Sequence, residues 1–375
     1  MLAHKSSTFD DSRSIRVLVV PIGENSLFDL HFHTISQLRE VQLAELSKPS
    51  QWSADVNTGF KNFEWYNRGS LLFDFLRYDR VPNGPGDLDD FQSSRRVLMI
   101  MGLINYPELG PDPMEKISSE LEYFTRRHPN VVLRRLFLFN YSFAGKQDPY
   151  AELLQPAMAI RDPSLMVVFP PDLICDNGSS MVRVHLSVNM ENASCKIIQA
   201  FDAQMQVCET ARSKGVIPDA SARVPLCTFF DEIEDRETAK DDAAAGHDST
   251  KDVGDYGRIS NGNGKGQFRK RPAGRLNKWM GDLSLQVCSP LDALQHYSSS
   301  ISECRQLGDH LWLAGALEGF AAATLMMAQL EMPLENVLAK ELRALLTTTQ
   351  SSKAPGGNSA GPGPSVVVRA LMLVE

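Results

Sequence analysis

The chain has 375 residues, of which 43% are hydrophobic and 22% are charged, and its formal net charge is −8. This composition is typical of globular proteins, and it excludes a wholly disordered chain, a collagen and a polytopic membrane protein. The excess of acidic side chains also argues against a nucleic-acid partner, because binding to phosphates requires a positive surface.

The cysteines and the termini indicate a cytoplasmic protein. Six cysteines are scattered without a C-x-x-C pair, which is typical of a reducing compartment in which thiols serve as small apolar groups. The polar N-terminus lacks the apolar region of a signal peptide. The longest apolar stretch, residues 311–328, contains Glu318 and many small residues, so we interpret it as a buried helix and not as a membrane span.

The first 230 residues alternate between short apolar runs and helical patterns, which predicts an α/β domain with a sheet flanked by helices. Strands are predicted at 15–22, 71–76, 96–104, 131–139, 165–169, 182–188 and 224–229. Helices are predicted at 26–46, 112–128 and 194–213. Only a loop containing PNGPG separates the strands at 71–76 and 96–104, so these two are predicted to form a hairpin and the sheet to be mixed.

Residues 231–274 change in character, from an acidic block through a glycine- and asparagine-rich middle to a basic block. Such a segment cannot bury enough apolar surface to fold, which predicts a disordered linker. Its basic end, Arg269, Lys270 and Arg271, leaves three interpretations open. They are a solvated linker, contact with an acidic protein or an anionic membrane surface, and a nuclear-import or nucleic-acid patch.

Residues 275–346 are predicted to be helical, and they carry a tetratricopeptide-like (TPR-like) pattern of small and aromatic side chains. The residues that form this pattern are Gly281, Ala293, Tyr297, Trp312, Gly315 and Gly319. Fewer than three repeats are too few for an independent solenoid, so either more repeats follow or this segment packs on the α/β domain. Residues 347–375 are predicted to be a low-complexity tail with an apolar end, as expected of a truncated gene product.

No catalytic, cofactor-binding or metal-binding residue is predicted. A phosphate-binding loop should follow the first strand, but Ile22 is followed by Gly23-Glu24-Asn25-Ser26, which contains one glycine and no lysine. The pair His31 and His33 falls in a predicted helix, where residues two apart point to different faces. There is no G-x-S-x-G motif.

Two stretches carry a resemblance to a known family. The segment GRLNKWMGDLSLQVCSPLDALQHYSSSISECRQLGDHLWLAGALEGF, at 274–320, resembles the core of the TRAPP complex subunit 9 family. The segment at 69–106, with GSLLFDFLRY and DFQSSRRVLMIMGLINY, is similar to paired strands of the same family, and VPLCTF at 224–229 to a short strand before its linker. The resemblance spans about residues 14–330 and covers only the N-terminal part of the family's longer chains.

The resemblance implies a non-catalytic scaffold subunit of a TRAPP II-type tethering and Rab nucleotide-exchange complex. The implied partners are other TRAPP subunits and, indirectly, Rab GTPases, with peripheral contact at the Golgi or trans-Golgi membrane. The implied fold of the first domain is a degenerate GTPase-like one, which agrees with the missing phosphate loop. A generic TPR-type adaptor that binds peptide tails is the alternative, whereas a nucleotide hydrolase would need phosphate ligands that this sequence lacks.

Overall fold

The structure is a computed structural model. It describes residues 12–46, 68–81, 91–109, 113–140, 166–168, 179–214 and 271–332. The strands are β1 (Ile15–Ile22), β2 (Glu40–Gln42), β3 (Ser70–Arg77), β4 (Val97–Asn105), β5 (Leu133–Phe139) and β6 (Met166–Val168). The helices are α1 (Phe28–Ile35), α2 (Pro113–Arg127), α3 (Ser179–Lys214), α4 (Arg271–Gln286), α5 (Pro290–Leu307) and α6 (His310–Gln329).

The six strands form one sheet in the order β2-β3-β1-β4-β5-β6. All neighbouring pairs are parallel except β2 and β3, so the sheet is mixed, as predicted. Every residue of β4 is buried, as is typical of a central parallel strand with helices on both faces. The sheet with its flanking helices confirms the predicted α/β class.

The predicted hairpin between the strands at 71–76 and 96–104 is wrong. These strands, β3 and β4, lie on opposite sides of β1, and each runs parallel to it. The antiparallel neighbour of β3 is instead the short strand β2, whose Val41 pairs with Leu71. Chain proximity suggested the hairpin, but each strand instead pairs with one of the two backbone edges of the central strand β1.

The predicted helix at 26–46 is also wrong over its second half. Helix α1 ends at Ile35, and the chain then forms β2 and a short 3-10 turn, Leu43–Glu45. Val41 therefore lies in a strand that pairs with the edge of β3, although the spacing of the apolar residues around it is helical. Helix α2, in contrast, confirms the helix predicted at 112–128.

The strand predicted at 182–188 is a helix. Helix α3 begins at Ser179 and takes in both this segment and the helix predicted at 194–213. Leu186 and Met190 are buried while Val184 and Val188 are exposed, a pattern that fits helical spacing and not strand alternation. The strand predicted at 224–229 and the tail at 347–375 lie outside the described residues.

Helices α4, α5 and α6 pack against one another and form what we call the helical layer. Gly308 ends α5 with a φ of 67°, and its N–H reaches the carbonyl groups of Cys304 and Arg305. Helix α6 is long and apolar enough to cross a membrane, but 56% of its most apolar stretch is buried in the protein. Its buried Trp312 and Phe320 place it in the helical layer, in agreement with the sequence interpretation.

The helical layer shares one hydrophobic core with the sheet. That core joins residues of β1, β3 and β4 to α3 and to all three helices of the layer. A second core lies on the opposite face of the sheet, where Ile117 and Leu121 of α2 cover Leu18 and Ile100. Of the two outcomes left open by the short repeat segment, packing on the α/β domain is therefore the one observed.

Candidate functional site

The first candidate site is the carboxyl edge of the sheet, which we define as the ends of β1, β3, β4 and β5. From β1 the chain proceeds to β3 on one side, and from β3 it returns to β4 on the other side. Ligands in open α/β sheets bind where the connections diverge in this way, outside the carboxyl ends of the strands. Here that crevice lies between the end of β1 and the end of β4.

The β1–α1 loop, residues 23–27, fills this crevice. Gly23 has a φ of 72°, a conformation that glycine adopts without strain. Its N–H donates to Glu120 Oε2 of α2 at 2.8 Å. The Ser26 N–H donates to Glu108 Oε2 at 2.7 Å, and the Ser26 hydroxyl donates to the other oxygen of the same carboxylate. Backbone donors that could bind a phosphate thus bind two carboxylates of the chain itself.

Two asparagine contacts complete the carboxyl edge. Asn25 donates from Nδ2 to the Leu103 carbonyl at 3.0 Å, which ties the β1–α1 loop to β4 across the crevice. Asn140, with a φ of 59°, donates to Oδ1 of the buried Asn105 at 2.9 Å and so joins the ends of β5 and β4. Amide side chains therefore hold the ends of three neighbouring strands together.

A buried histidine lies beneath this edge. The His31 ring stacks on Phe139 with 3.8 Å between the ring centroids, and neither ring nitrogen has a hydrogen-bond partner among the described residues. Burial lowers the pKa of His31 to about 4, although the nearby carboxylate of Glu108 opposes this shift. His31 is therefore neutral at physiological pH and packs as an aromatic ring.

The Ser26 hydrogen bonds also affect the titration of Glu108. Hydrogen bonds from the Ser26 side chain and backbone hold the pKa of Glu108 below its ordinary value. The carboxylate therefore stays ionised, and an ionised carboxylate accepts stronger hydrogen bonds from backbone N–H groups than a neutral acid does. The carboxyl edge has backbone N–H groups of the kind that bind anions, but the anions they bind are the carboxylates of Glu108 and Glu120 in the same chain.

The second candidate site is the junction between the helical layer and the sheet, where five of the six repeat-pattern residues come together. The Tyr297 ring lies between two glycines of neighbouring helices. A Cβ atom on Gly281 would lie 2.7 Å from the ring, and one on Gly319 would lie 2.2 Å from it. The predicted need for small side chains at these positions therefore has a structural basis in close helix approach.

The Tyr297 hydroxyl group continues into a buried polar network. It donates to Asp282 Oδ1 at 2.8 Å, and Asp282 Oδ2 accepts from Lys278 Nζ at 2.6 Å. Burial, followed by the charge of Asp282, raises the pKa of Tyr297 well above its ordinary value, so the phenol stays protonated and donates. The Tyr297–Asp282 hydrogen bond joins α5 to α4, and the Lys278–Asp282 pair lies within α4.

An aromatic pair links the network to the loop that precedes β4. The Lys278 ammonium group donates to the Phe91 carbonyl and lies 4.9 Å from the Phe91 ring. Phe91 meets Trp312 edge to face at 5.2 Å, and Gly315 leaves room for the Phe91 ring. Ala293, the sixth pattern residue, lies on α5 and is fully buried.

Helix α4 is buried from Gly274 to its last residue, although half of these side chains are polar. Arg275 pairs with Asp309 at 2.8 Å, and Asn277 donates to Glu303 at 3.1 Å. At the end of the helix, Gln286 donates to the Ser14 carbonyl beside β1. Because Arg275, Asn277 and the amide nitrogen of Gln286 each have a partner, the helix can lie in the centre of the protein.

A cavity of about 260 Å³ opens at this junction between the start of β1 and helices α4 and α6. Its lining includes Arg16, Arg95, Lys278, Asp282 and Glu318, so both signs of charge face it. Lys278 and Asp282, which both line the cavity, are already hydrogen-bonded to each other. In the described part of the chain, no group of three or more histidine, cysteine or acidic side chains could hold a metal ion.

Three of the four cysteines that the structure describes are buried in the protein. Cys208, Cys288 and Cys304 are buried free thiols, and burial raises the pKa of each. A thiol with a raised pKa is a poor nucleophile at neutral pH. The Cys288 sulfur lies against Gly69, where an added Cβ would approach it to 2.8 Å.

The basic end of the predicted linker belongs to neither candidate site. Arg269 and Lys270 lie outside the described residues, and Arg271 is the first residue of α4. Helix α4 therefore takes in the last residues that the sequence assigned to the linker at 231–274. The division of the chain into four segments and the contact of this basic run with an anionic surface stay predictions.

Sequence reasoning missed the acidic ligands and the buried charge pair. Lys278 and Asp282 stand four residues apart, a spacing that could have suggested a pair within one helix. Glu108 and Glu120 gave no such signal, because they are close to the β1–α1 loop only in the folded chain.

Comparison with known proteins identifies the family. The family described as Trs120/TRAPPC9, N-terminal domain, matches residues 7–338. The chain belongs to this family. The family expected from the segments at 69–106 and 274–320 is thereby confirmed, and the match extends over the β1–α1 loop and the helical layer alike.

Individual relatives of the Trs120/TRAPPC9 family agree. The Arabidopsis thaliana trafficking protein particle complex II-specific subunit 120 homolog is 26% identical over 324 residues, which are 86% of this chain and 23% of the plant protein. The mouse trafficking protein particle complex subunit 9 is 25% identical over 67% of this chain and 18% of its own length. The Saccharomyces cerevisiae II-specific subunit 120 is 20% identical over 88% of this chain and 25% of its own length. The chain thus spans about a quarter or less of these relatives.

Proposed function

We propose that this chain is a non-catalytic scaffold part of a TRAPP II-type complex, in which it binds other subunits while those subunits activate a Rab GTPase. The family match over residues 7–338 carries this proposal. The names of the plant and yeast relatives describe II-specific subunits of a trafficking protein particle complex. The proposed site of action is the cytoplasmic face of the Golgi or trans-Golgi network.

One feature supports the absence of nucleotide binding, and a second supports the origin of the domain. The N–H groups of Gly23 and Ser26 are bound to Glu120 and Glu108, so a nucleotide phosphate would have to displace both carboxylates to reach them. The strand order with an antiparallel second strand supports descent of the domain from a GTPase-like fold. We therefore propose a GTPase-like domain that no longer binds nucleotide, followed by the first TPR-like helices of a solenoid.

The burial of α4 argues against the generic TPR-type adaptor. Such an adaptor needs a groove of exposed polar side chains that can bind a peptide tail. The polar side chains of α4 that the structure describes, including Arg275, Asn277 and Lys278, are instead buried and paired within the protein. We therefore favour binding through an outer surface and not through a peptide groove.

Recovery of partner subunits tests the proposal. The tagged 375-residue chain is expected to recover TRAPP core subunits from cell extract, and its fluorescent fusion to overlap a trans-Golgi marker. The tagged chain with Gly319→Leu, which disrupts the packing around Tyr297, is the matched control and should recover much less. Recovery of unrelated peptide-tailed proteins in place of TRAPP subunits would favour the adaptor.

A nucleotide titration tests the missing activity separately. Fluorescent GDP or GTP with Mg²⁺ should show no saturable binding to the purified chain at micromolar concentration. Saturable binding would contradict the proposed non-catalytic role even if the chain assembled into the complex.

A further inference from the structure

We propose that Glu108 and Glu120 are built-in ligands of the β1–α1 loop, which fix it in one conformation that does not depend on any nucleotide. The two carboxylates hold the loop whether or not the chain assembles into a TRAPP complex. They are positioning residues, and neither belongs to a sequence motif.

The two carboxylates reach the loop from different elements. Glu108 is the last residue of the 3-10 turn Tyr106–Glu108 that follows β4, whereas Glu120 lies in the middle of α2. Each accepts a hydrogen bond from a backbone N–H of the loop, at 2.7 and 2.8 Å. Because the anchors lie at both ends of the loop and on separate elements, the loop cannot move without breaking a charge-assisted hydrogen bond.

Packing around Gly23 adds to this restraint. A Cβ placed on Gly23 would lie 3.2 Å from the Leu109 side chain and 3.4 Å from that of Lys116. Asn25 holds the middle of the loop through the Leu103 carbonyl. Gly23, Asn25 and Ser26 thus each have a partner on β4, on the turn after it or on α2.

The arrangement has a consequence for the surface above the loop. In switch proteins, loops ordered by a bound phosphate rearrange when that phosphate leaves. Here the negative charge that orders the loop is covalently part of the chain, so it cannot leave. Helix α1, which follows the loop and pairs with β3 through Asp29 and Arg77, therefore keeps one position.

Amide hydrogen exchange of the full 375-residue chain tests this role. We expect Glu108→Ala combined with Glu120→Ala to increase the exchange rate of the amides at 23–27 by about tenfold or more, because charge-assisted hydrogen bonds are lost. Glu122→Ala is the matched control, since Glu122 lies on the same helix as Glu120 and pairs with Arg126 at the surface. It should leave the loop unchanged.

Exchange in α4–α6 serves as an internal reference for folding. If the double alanine variant lost protection there as well, Glu108→Gln combined with Glu120→Gln would be measured instead. These amides keep the shape and one neutral acceptor, and a smaller increase of about threefold is expected in the loop alone.

Two results would overturn the inference. One is loop protection in the double variant equal to that in the Glu122→Ala control. The other is a loop in the unmodified chain that gains protection when millimolar inorganic phosphate or GDP with Mg²⁺ is added, since the N–H groups of Gly23 and Ser26 are already bound to Glu120 and Glu108.

Discussion

At the scale of single residues, the Tyr297 ring sets the distance between the helices of the helical layer. It fills the space left by Gly281 and Gly319, and its hydroxyl group binds the buried Asp282. The repeat pattern predicted that the glycines allow the helices to approach closely and that the Tyr297 ring fills the space beside the next helix. It did not predict Asp282 as the hydroxyl acceptor, because that contact depends on the rotation of α4 against α5.

Gly319→Ala is expected to destabilise the protein by about 1–3 kcal/mol, because the new methyl group would overlap the Tyr297 ring. An exchange of glycine for alanine inside a helix ordinarily stabilises by about 0.5–1 kcal/mol. In a Tyr297→Ala background the same exchange should therefore become neutral or stabilising. Urea unfolding of the unmodified chain, the two single variants and the double variant measures this reversal of sign. Equal effects of Gly319→Ala in both backgrounds would contradict the packing role of the ring.

His31 is expected to make stability depend on pH on the acidic side. Burial lowers its pKa from 6.5 to about 4, so as the pH falls the unfolded chain binds the proton before the folded chain does. The free energy of unfolding should therefore decrease as the pH falls from 6.5 towards 4, by up to about 3 kcal/mol. His31→Phe keeps a ring against Phe139 and should flatten this decrease.

Urea unfolding at a series of pH values measures the effect of His31→Phe. The exchange of the exposed His33 for phenylalanine on the same helix is the control. Parallel pH profiles of the free energy of unfolding for the unmodified chain and His31→Phe would contradict the assignment to His31.

At the scale of elements, periodicity predicted the central strands and α2 but failed at segments whose partners are distant. Residues 182–188 alternate between apolar and polar side chains, yet they form the start of α3 because Leu186 and Met190 reach the core at helical spacing. Val41 belongs to the helical pattern of apolar residues at 26–46, yet it lies in β2 because the edge of β3 offers it a strand to pair with. Both errors are cases of tertiary packing overriding a local pattern.

Exchanges in α3 distinguish the helix from the predicted strand. Leu186→Ala should cost about 2–5 kcal/mol because it leaves a cavity in the shared core. Val184→Lys should change stability by less than about 0.5 kcal/mol, since 58% of Val184 is exposed. In a strand these two side chains would share one face, so similar costs for both variants would favour the strand.

At the scale of the whole molecule, the sheet and the helical layer form one unit. Arg96 beside β4 lies 4.5 Å from the Trp279 ring of α4, and Gln286 donates to the Ser14 carbonyl next to β1. The sequence predicted two folded parts on either side of a linker. It could not reveal the shared core, because the apolar pattern of a helix shows which face is buried but not which element packs against that face.

Cleavage between the two parts is expected to leave them associated. A protease site inserted at about residue 250, within the segment predicted as a linker, should be cut without separating residues before it from the helical layer. Size-exclusion chromatography of the cut protein should show one peak that contains both fragments, because the shared core holds them together. Arg68→Ala, which removes a 3.4 Å contact with the Leu330 carbonyl at the surface, is the control and should behave in the same way.

A Trp279→Ala variant sharpens the cleavage experiment. Loss of this buried ring removes a contact between α4 and Arg96, and it should weaken the association so that the fragments separate on dilution. Separation of the fragments of the unmodified chain would show that the two parts are independent domains.

The interlocking of Tyr297 with Gly281 and Gly319 also restricts how this protein can change over evolutionary time. A larger side chain at either glycine overlaps the ring, and a smaller one at 297 leaves a void and deprives Asp282 of its donor. Each single exchange therefore passes through a less stable intermediate, which selection against unfolding removes. Lineages should retain all three residues or replace them together, so these positions are expected to covary among relatives as one epistatic unit.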